Sequence, residues 1–84
     1  PGTYTTTLAD YRLCVGCPDD PVDRYALPNP SAITTAFHLR PAFGDGLQRG
    51  IVQPNFGHDG GGVEAFFKNG TSDGSLIAVK PYGQ

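Results

Sequence analysis

Basic residues are scarce in this chain and never form a run. Six Lys and Arg residues stand against eight Asp and Glu residues, which gives a net charge of −2 at neutral pH. A protein that binds nucleic acid mainly by neutralising phosphates needs a basic patch or stripe, so nucleic acid is not an expected partner. Long apolar runs are also missing, and none approaches the roughly 20 residues that span a bilayer. We therefore expect no membrane partner.

Only two cysteines are present, at the C-V-G-C spacing of Cys14 and Cys17. A zinc site needs more ligands than these two, and His38 and His58 are too far along the chain for the spacing of a zinc finger. A thioredoxin-type pair opens a helix, whereas here the turn-forming sequence P-D-D-P follows. We expect no metal, and the two thiols are either small, partly buried groups or a local disulfide formed in an oxidising compartment.

Glycine and proline are abundant, with 12 and 8 residues among the 84. The length predicts one small domain, residues 1–84, of modest stability, because a chain of this size buries only about 60–65% of its unfolded surface. Five Phe and four Tyr, within a hydrophobic fraction of 38%, favour a folded, loop-rich chain over disorder. The chain begins with Pro1 rather than Met, so we interpret it as a processed fragment or a domain excised from a larger protein.

Strand patterns dominate the sequence. Segments that are β-branched, aromatic or alternating predict strands over residues 4–8, 11–15, 33–40, 63–68 and 76–80. Another short strand is predicted to start at Ile51, and no helix of ten or more residues is expected. Ser31 is a potential helix cap, but the β-branched residues that follow it oppose a helix. The predicted fold class is mainly β or small α+β: a compact, twisted antiparallel sheet, partly barrel-like, with long Gly- and Pro-rich loops.

Alternation along two of these strands assigns their faces. In the strand around His38, the odd-numbered residues, Phe37 among them, form the predicted core face, while His38 and Arg40 lie on the polar face. In the strand around Glu64, the odd-numbered residues form the core face, and Glu64 and Phe66 lie on the other. If these strands are neighbours, their polar faces bring His38, Arg40 and Glu64 together.

Residues 54–67, P-N-F-G-H-D-G-G-G-V-E-A-F-F, contain the strongest functional signal. Three consecutive glycines lose much backbone entropy on ordering, and such a run usually supplies positive φ angles or a close backbone approach to something bulky. We predict that the bulky group is a ligand beside Glu64. Desolvation raises the pKa of a carboxylate and a nearby Arg lowers it, and either state suits acid–base chemistry or hydroxyl binding. The candidate site comprises Arg24, His38, Arg40, Phe56, His58, Asp59 and Glu64.

These residues also have ordinary structural interpretations. A lone Glu64 on the exposed face of a strand is usually solvated, and Arg24 has Asp20 and Asp23 nearby in sequence as ion-pair partners. The occurrence of three glycines, Phe56 and Glu64 within nine positions favours a ligand or active site over these interpretations.

Residues 49–64, R-G-I-V-Q-P-N-F-G-H-D-G-G-G-V-E, resemble the signature of the tuberculosis necrotizing toxin family. In that family an apolar strand leads to a Pro, an aromatic-Gly pair, a Gly-Gly-Gly run and a catalytically important Gln. The tripeptide Asp23-Arg24-Tyr25 resembles the family's Asp-Arg-aromatic segment, whose Arg lies in the active site. Glu64 stands where the family has Gln, and the connection between Arg24 and Glu64 is shorter than usual for the family.

The resemblance implies a secreted bacterial toxin domain that hydrolyses NAD or NADP at the nicotinamide–ribose bond, through an oxocarbenium-like transition state. It implies no cofactor, since NAD is the substrate. It also implies an effector of interbacterial competition that acts in the target-cell cytoplasm, with a cognate immunity protein as partner. The implied catalytic residues are Glu64 and Arg24. The implied substrate-binding residues are Phe56, His58, Gly60, Gly61, Gly62, Arg40 and His38.

Two other functions stay open on the residues alone. A small toxin ribonuclease would take its general acid–base groups from His38, His58, Glu64, Lys68 and Arg40, although the acidic charge of the chain opposes RNA binding. A non-enzymatic binding or carbohydrate-recognition module would use Tyr and Phe side chains on an open sheet.

Overall fold

The computed structural model describes residues 2–16, 20–28 and 33–84, which contain five strands and two helices. In chain order these are β1 (Thr3–Thr5), α1 (Leu8–Gly16), α2 (Pro21–Arg24), β2 (Thr35–Leu39), β3 (Gln48–Ile51), β4 (Val63–Phe67) and β5 (Leu76–Pro81). Every strand pair among these elements is antiparallel. The predicted class, a small α+β fold built mainly of antiparallel strands, is confirmed.

The described strands divide between two sheets and do not close into a barrel. β4 is the central strand of a three-stranded sheet in the order β1-β4-β3, with Tyr4 opposite Phe66 and Gly50 opposite Glu64. β2 and β5 form a separate two-stranded sheet. The condition under which the polar faces of β2 and β4 would meet is not fulfilled, because β1 and β3 occupy both edges of β4.

Residues 11–15 belong to helix α1, so the strand predicted there is wrong. Thr7 caps this helix: its hydroxyl accepts a hydrogen bond from the Asp10 N–H at 3.1 Å, and its carbonyl accepts one from the Tyr11 N–H at 2.9 Å. A Thr followed three residues later by an acidic residue signals a helix start, and it outweighs the short apolar alternation. Asp10 and Cys14 lie one turn apart on the same face, and both are buried.

Two strand boundaries also differ from the prediction. The strand predicted over residues 4–8 is the shorter β1, because Thr7 already caps α1. The strand predicted to start at Ile51 is β3, which ends there and begins at Gln48 inside a predicted loop.

Helix α2 is one turn whose start is fixed by Asp20 and Pro21. The Asp20 side chain accepts a hydrogen bond from the Val22 N–H at 3.0 Å, and Pro21 occupies the first turn, where its fixed φ suits the helix. Val22 is buried beneath this turn. Residues 17–19 and 29–32 lie outside the described residues, and with them the predictions for Cys17 and Ser31.

The alternation predicted for β4 is confirmed. Ala65 and Phe67 are buried on one face, while Glu64 and Phe66 lie half-buried on the other. The Phe66 ring stacks on Tyr4 of β1, with ring centroids 4.3 Å apart. The turn predicted between this strand and the last one is also present, and it leads into β5.

The faces predicted for β2 are confirmed only in part: Leu39 is half-buried and His38 is exposed as predicted, but Phe37 is not buried. Phe37 is 64% exposed, and Val79, opposite it on β5, is 55% exposed. Ala36 and Ala78, which lie on the same face as His38, are half-buried. Period-two alternation separates two faces but does not say which one packs. Here the half-buried residues are Ala36 on one face and Leu39 on the other, so neither face of β2 is fully buried.

None of the helices in the described part of the chain is long and apolar enough to cross a membrane.

Candidate functional site

The glycine run lies directly against the segment that contains Arg24. The Gly60 N–H donates to the Asp23 carbonyl at 2.9 Å, and the Gly62 N–H donates to the Arg24 carbonyl at 3.1 Å. The Asp59 N–H donates to the Asp23 carboxylate at 3.1 Å. These bonds join two segments more than thirty positions apart in sequence into one backbone-to-backbone contact.

Steric crowding explains glycine at two positions of the run. A Cβ on Gly62 would lie 2.5 Å from the Tyr25 ring, and one on Gly60 would lie 2.5 Å from the Val52 carbonyl oxygen. Gly60 also has a φ of +72°, in the left-handed region that favours glycine. The close backbone approach that the sequence predicts is therefore present, but at Gly60 and Gly62 the approaching groups belong to the chain itself.

Arg24 is held by Asp10, a residue that the sequence interpretation left out of the site. The guanidinium donates to both Asp10 oxygens, from Nη2 at 2.6 Å and from Nε at 3.1 Å. Asp10 also accepts from the Tyr25 hydroxyl at 2.7 Å and from the Val63 N–H at 3.2 Å. Within residues 2–16, 20–28 and 33–84, Arg24 thus pairs with Asp10 on α1, rather than with Asp20 or Asp23. The sequence does contain a signal for this role of Asp10. The T-x-x-D pattern that starts at Thr7 predicts a helix, and a helix puts Asp10 on the buried face.

Hydrogen bonding fixes the charge of this network. The Arg24 guanidinium lowers the pKa of Asp10 from 3.8 to about 2, against the opposing effect of burial and with help from Tyr25 and Val63. Burial raises the pKa of Tyr25 to about 12, and the hydrogen bond to Asp10 acts in the same direction. At neutral pH the network is an anionic carboxylate that receives hydrogen bonds from a cation, a neutral phenol and a backbone amide.

Phe56 is presented at the tip of a tight hairpin turn. Asn55 and His58 exchange two backbone hydrogen bonds, at 3.1 and 2.8 Å, around the central residues Phe56 and Gly57. Both central residues have positive φ, +51° for Phe56 and +77° for Gly57, as a type I′ turn requires. This conformation is strained for an aromatic residue, and it leaves the ring 58% exposed.

His58 links this turn to helix α2. Its Nδ1 lies 3.4 Å from the Asp23 carboxylate oxygen, which also accepts the Asp59 N–H. Phe56, His58, the glycine run and Asp23 therefore form one continuous surface, which we call the glycine-run surface (residues 23–25 and 55–62).

Glu64 follows the glycine-run surface on β4. Its side chain is half-buried and lies on the same face as Phe66, away from the buried Ala65. The residue opposite it is Gly50, which has no side chain to fill the space beside the carboxylate. The glycine run and Glu64 are thus adjacent in the structure, as the sequence predicts.

His38 and Arg40 are not brought to Glu64. Both lie at the end of β2, in the two-stranded sheet, where the Arg40 N–H donates to the Ser75 carbonyl at 2.7 Å. His38 instead lines a cleft of about 860 Å³ between the two sheets. The predicted convergence of His38, Arg40 and Glu64 is wrong, because it depended on pairing β2 with β4.

Cys14 is fully buried on α1, and its Sγ lies 3.2 Å from the Tyr82 hydroxyl. Burial and this thiol raise the pKa of Tyr82. In the part of the chain that the structure describes, no three His, Cys, Asp or Glu residues are grouped to hold a metal ion. Cys17 lies outside that part.

Comparisons of the chain with protein families, with curated proteins and with solved structures found no match.

Proposed function

We propose that this chain is an NAD(P) glycohydrolase domain. The supporting observation is the contact between the two segments that carry the resemblance. Asp23-Arg24-Tyr25 and the glycine run are distant in sequence, and they are joined by hydrogen bonds from Gly60 and Gly62. A contact of this kind is what a shared site requires, and Glu64 stands on the strand that leaves it.

In this proposal Glu64 and Phe56 contact the substrate. Hydrolysis breaks the bond between the nicotinamide nitrogen and the ribose C1′, and the nitrogen keeps the electron pair of that bond. Water supplies the hydroxyl at C1′, and its other proton is released to solution. Positive charge develops on the ribose in the transition state, and the Glu64 carboxylate stabilises this charge or holds the ribose hydroxyls. The exposed Phe56 ring stacks on nicotinamide, with His58 beside it at the turn.

Arg24 acts in a different way from the one that the sequence suggests. Its guanidinium is bound to Asp10 and its carbonyl to Gly62, so we assign it a positioning role that holds the glycine run in place. Arg24→Ala leaves the Asp10 carboxylate buried without its cation, which costs about 3–5 kcal/mol. A loss of activity in that variant reports on folding first, and Arg24→Ala is not a clean test of catalysis.

The direct test is to incubate the purified domain with NAD or NADP and to follow nicotinamide release. Glu64→Ala is expected to lower kcat/KM by about 10²–10³-fold, the size of a lost transition-state charge interaction. Glu64→Gln separates the two roles, because an amide still binds hydroxyls but does not stabilise a cation. Asp73→Asn, at an exposed carboxylate in the loop before β5, is the matched control.

Intact NAD at high concentrations of folded protein overturns the proposal. Full activity in Glu64→Ala refutes the site and leaves the activity in place. Degradation of structured RNA by the same preparation, with NAD unchanged, points instead to the ribonuclease alternative.

The proposed activity also implies a cellular context. A domain that removes NAD from the cytoplasm of a target cell is a secreted or delivered effector, and its producer needs a cognate immunity protein that blocks the site. Expression of the domain inside bacteria should then stop growth, whereas Glu64→Ala should not. Unimpaired growth with the folded wild-type domain contradicts this context.

A further inference from the structure

The cleft between the two sheets is a second place with ligand-binding chemistry. Its volume of about 860 Å³ lies within the range of small-molecule sites, roughly 300–1,000 Å³. Ala65 and Phe67 line it, whereas Glu64 lies on the opposite face of β4. We propose that this cleft binds a nucleoside diphosphate, an anion that combines phosphate groups with a flat ring. This proposal does not depend on the glycohydrolase activity.

The charge of the cleft differs from that of the chain as a whole. The chain has a net charge of −2, yet Arg12, Lys80 and the His38 imidazole line the cleft. No Asp or Glu side chain within residues 2–16, 20–28 and 33–84 lines it. A cleft with one sign of charge focuses the local field and concentrates ions of the opposite sign, so the preferred ligand is anionic.

The positions of the basic groups suit a diphosphate. On the second sheet, Ala36 is opposite Lys80 and Ala78 is opposite His38, so Lys80 and His38 are diagonal neighbours on one face. Diagonal neighbours have Cα atoms about 7–8 Å apart, within reach of long side chains. Arg12 approaches from helix α1. An Arg guanidinium binds phosphate with two parallel hydrogen bonds, and a Lys ammonium adds a point charge.

The apolar part of the cleft suits a flat ring. The rings of Tyr11 and Phe67 line it, together with Leu8 and Leu47. Leu8 and Leu47 are each at least 45% exposed, and exposed apolar side chains that line one cleft are typical of a ligand-binding groove. Aromatic side chains stack favourably on nucleobases. The lining therefore provides a surface for a base beside the groups that bind phosphate.

The test is calorimetric titration of ADP and of adenosine into the folded protein at low salt. ADP is expected to bind, and adenosine to bind at least about tenfold more weakly, because it lacks the diphosphate. Arg12→Ala and Lys80→Ala should each weaken ADP about fivefold, the size of one solvated charge-assisted hydrogen bond. Lys68→Ala is the matched control, since Lys68 is exposed and does not line the cleft.

Equal binding of ADP and adenosine overturns the proposal, as does the absence of ADP binding. An effect of Arg12→Ala and Lys80→Ala no larger than that of Lys68→Ala also overturns it. If NAD stays intact while ADP binds through Arg12 and Lys80, the glycohydrolase proposal fails and the cleft proposal stands.

Discussion

Asp10→Asn removes the charge that holds Arg24 while keeping the size of the side chain. Asp10 is 3% exposed and accepts hydrogen bonds from Arg24, Tyr25 and Val63. A pKa that falls from 3.8 to about 2 on folding corresponds to about 2–3 kcal/mol of stability at neutral pH. The Arg24 side chain is 21% exposed, so water offsets part of the cost of removing the Asp10 charge from beside its guanidinium. We therefore expect a loss of about 2–3 kcal/mol, below the 3–5 kcal/mol range of fully buried pairs.

This loss is large for a chain of 84 residues. At about 0.05–0.15 kcal/mol per residue, the total free energy of unfolding is about 4–13 kcal/mol. Urea denaturation at pH 7, followed by circular dichroism, measures the difference from wild type. The melting temperature should fall by about 10–20 °C. Asp73→Asn, at an exposed carboxylate, should change stability by less than about 0.5 kcal/mol.

The pH dependence of the stability difference between wild type and Asp10→Asn tests the role of the Asp10 charge more directly. The pKa of Asp10 is lower in the folded state, so its contribution is complete above about pH 4 and is lost as the pH falls towards about 2. The stability gap between wild type and Asp10→Asn should close over that interval. A gap under about 0.5 kcal/mol at pH 7, or one of equal size at pH 7 and pH 2, refutes the assignment of the charge to Asp10.

Three further predictions concern the glycine-run surface and the buried thiol. Gly62→Ala should destabilise the fold by about 2 kcal/mol, because its Cβ meets the Tyr25 ring at 2.5 Å, whereas Gly50→Ala, with no atom within 4 Å, should cost almost nothing in the same denaturation assay. Phe56→Asn should raise the free energy of unfolding by about 0.5–1 kcal/mol, since Asn tolerates the positive φ of this turn. The same variant should release nicotinamide more slowly. A lower stability contradicts the first expectation, and full activity contradicts the second. Cys14 is fully buried. In a variant without the other cysteine, its reaction with a thiol reagent should therefore be limited by the rate at which the fold opens. Labelling as fast as that of a small thiol in solution would show that the surroundings of Cys14 are open to solvent.

The alternation of apolar and polar residues predicted the buried face of β4 correctly and that of β2 only in part. In β4 both signals agree: the apolar residues alternate, and the large ones, such as Phe67, are buried. In β2 the alternation is equally clear, but the large Phe37 is exposed and the small Ala36, on the other face, is half-buried. A two-stranded sheet packs through whichever face fits the rest of the molecule, and that depends on contacts from distant segments.

The candidate site also has one part that the sequence predicts and one part that it does not. The glycine run and Glu64 are close in sequence and stay close in space, so their adjacency follows from the chain order. The partner of Arg24 does not, because Asp10 reaches it only if residues 8–16 form a helix. Nine residues with six apolar side chains at mixed spacing resemble a strand as much as a helix. The T-x-x-D cap at Thr7 is the deciding signal.

The central position of β4 also sets the order in which this chain assembles. Thr5 on β1 bonds to Ala65 on β4, sixty positions later, and Val63 completes the Asp10 network from fifty-three positions away. Pairings of such long range form slowly, because a large loop must close before any contact stabilises it. During synthesis, the Asp10 network therefore lacks the Val63 hydrogen bond until β4 has left the ribosome. A nascent chain stalled before residue 63 should remain fully sensitive to protease, and one extended past residue 67 and clear of the ribosome should not.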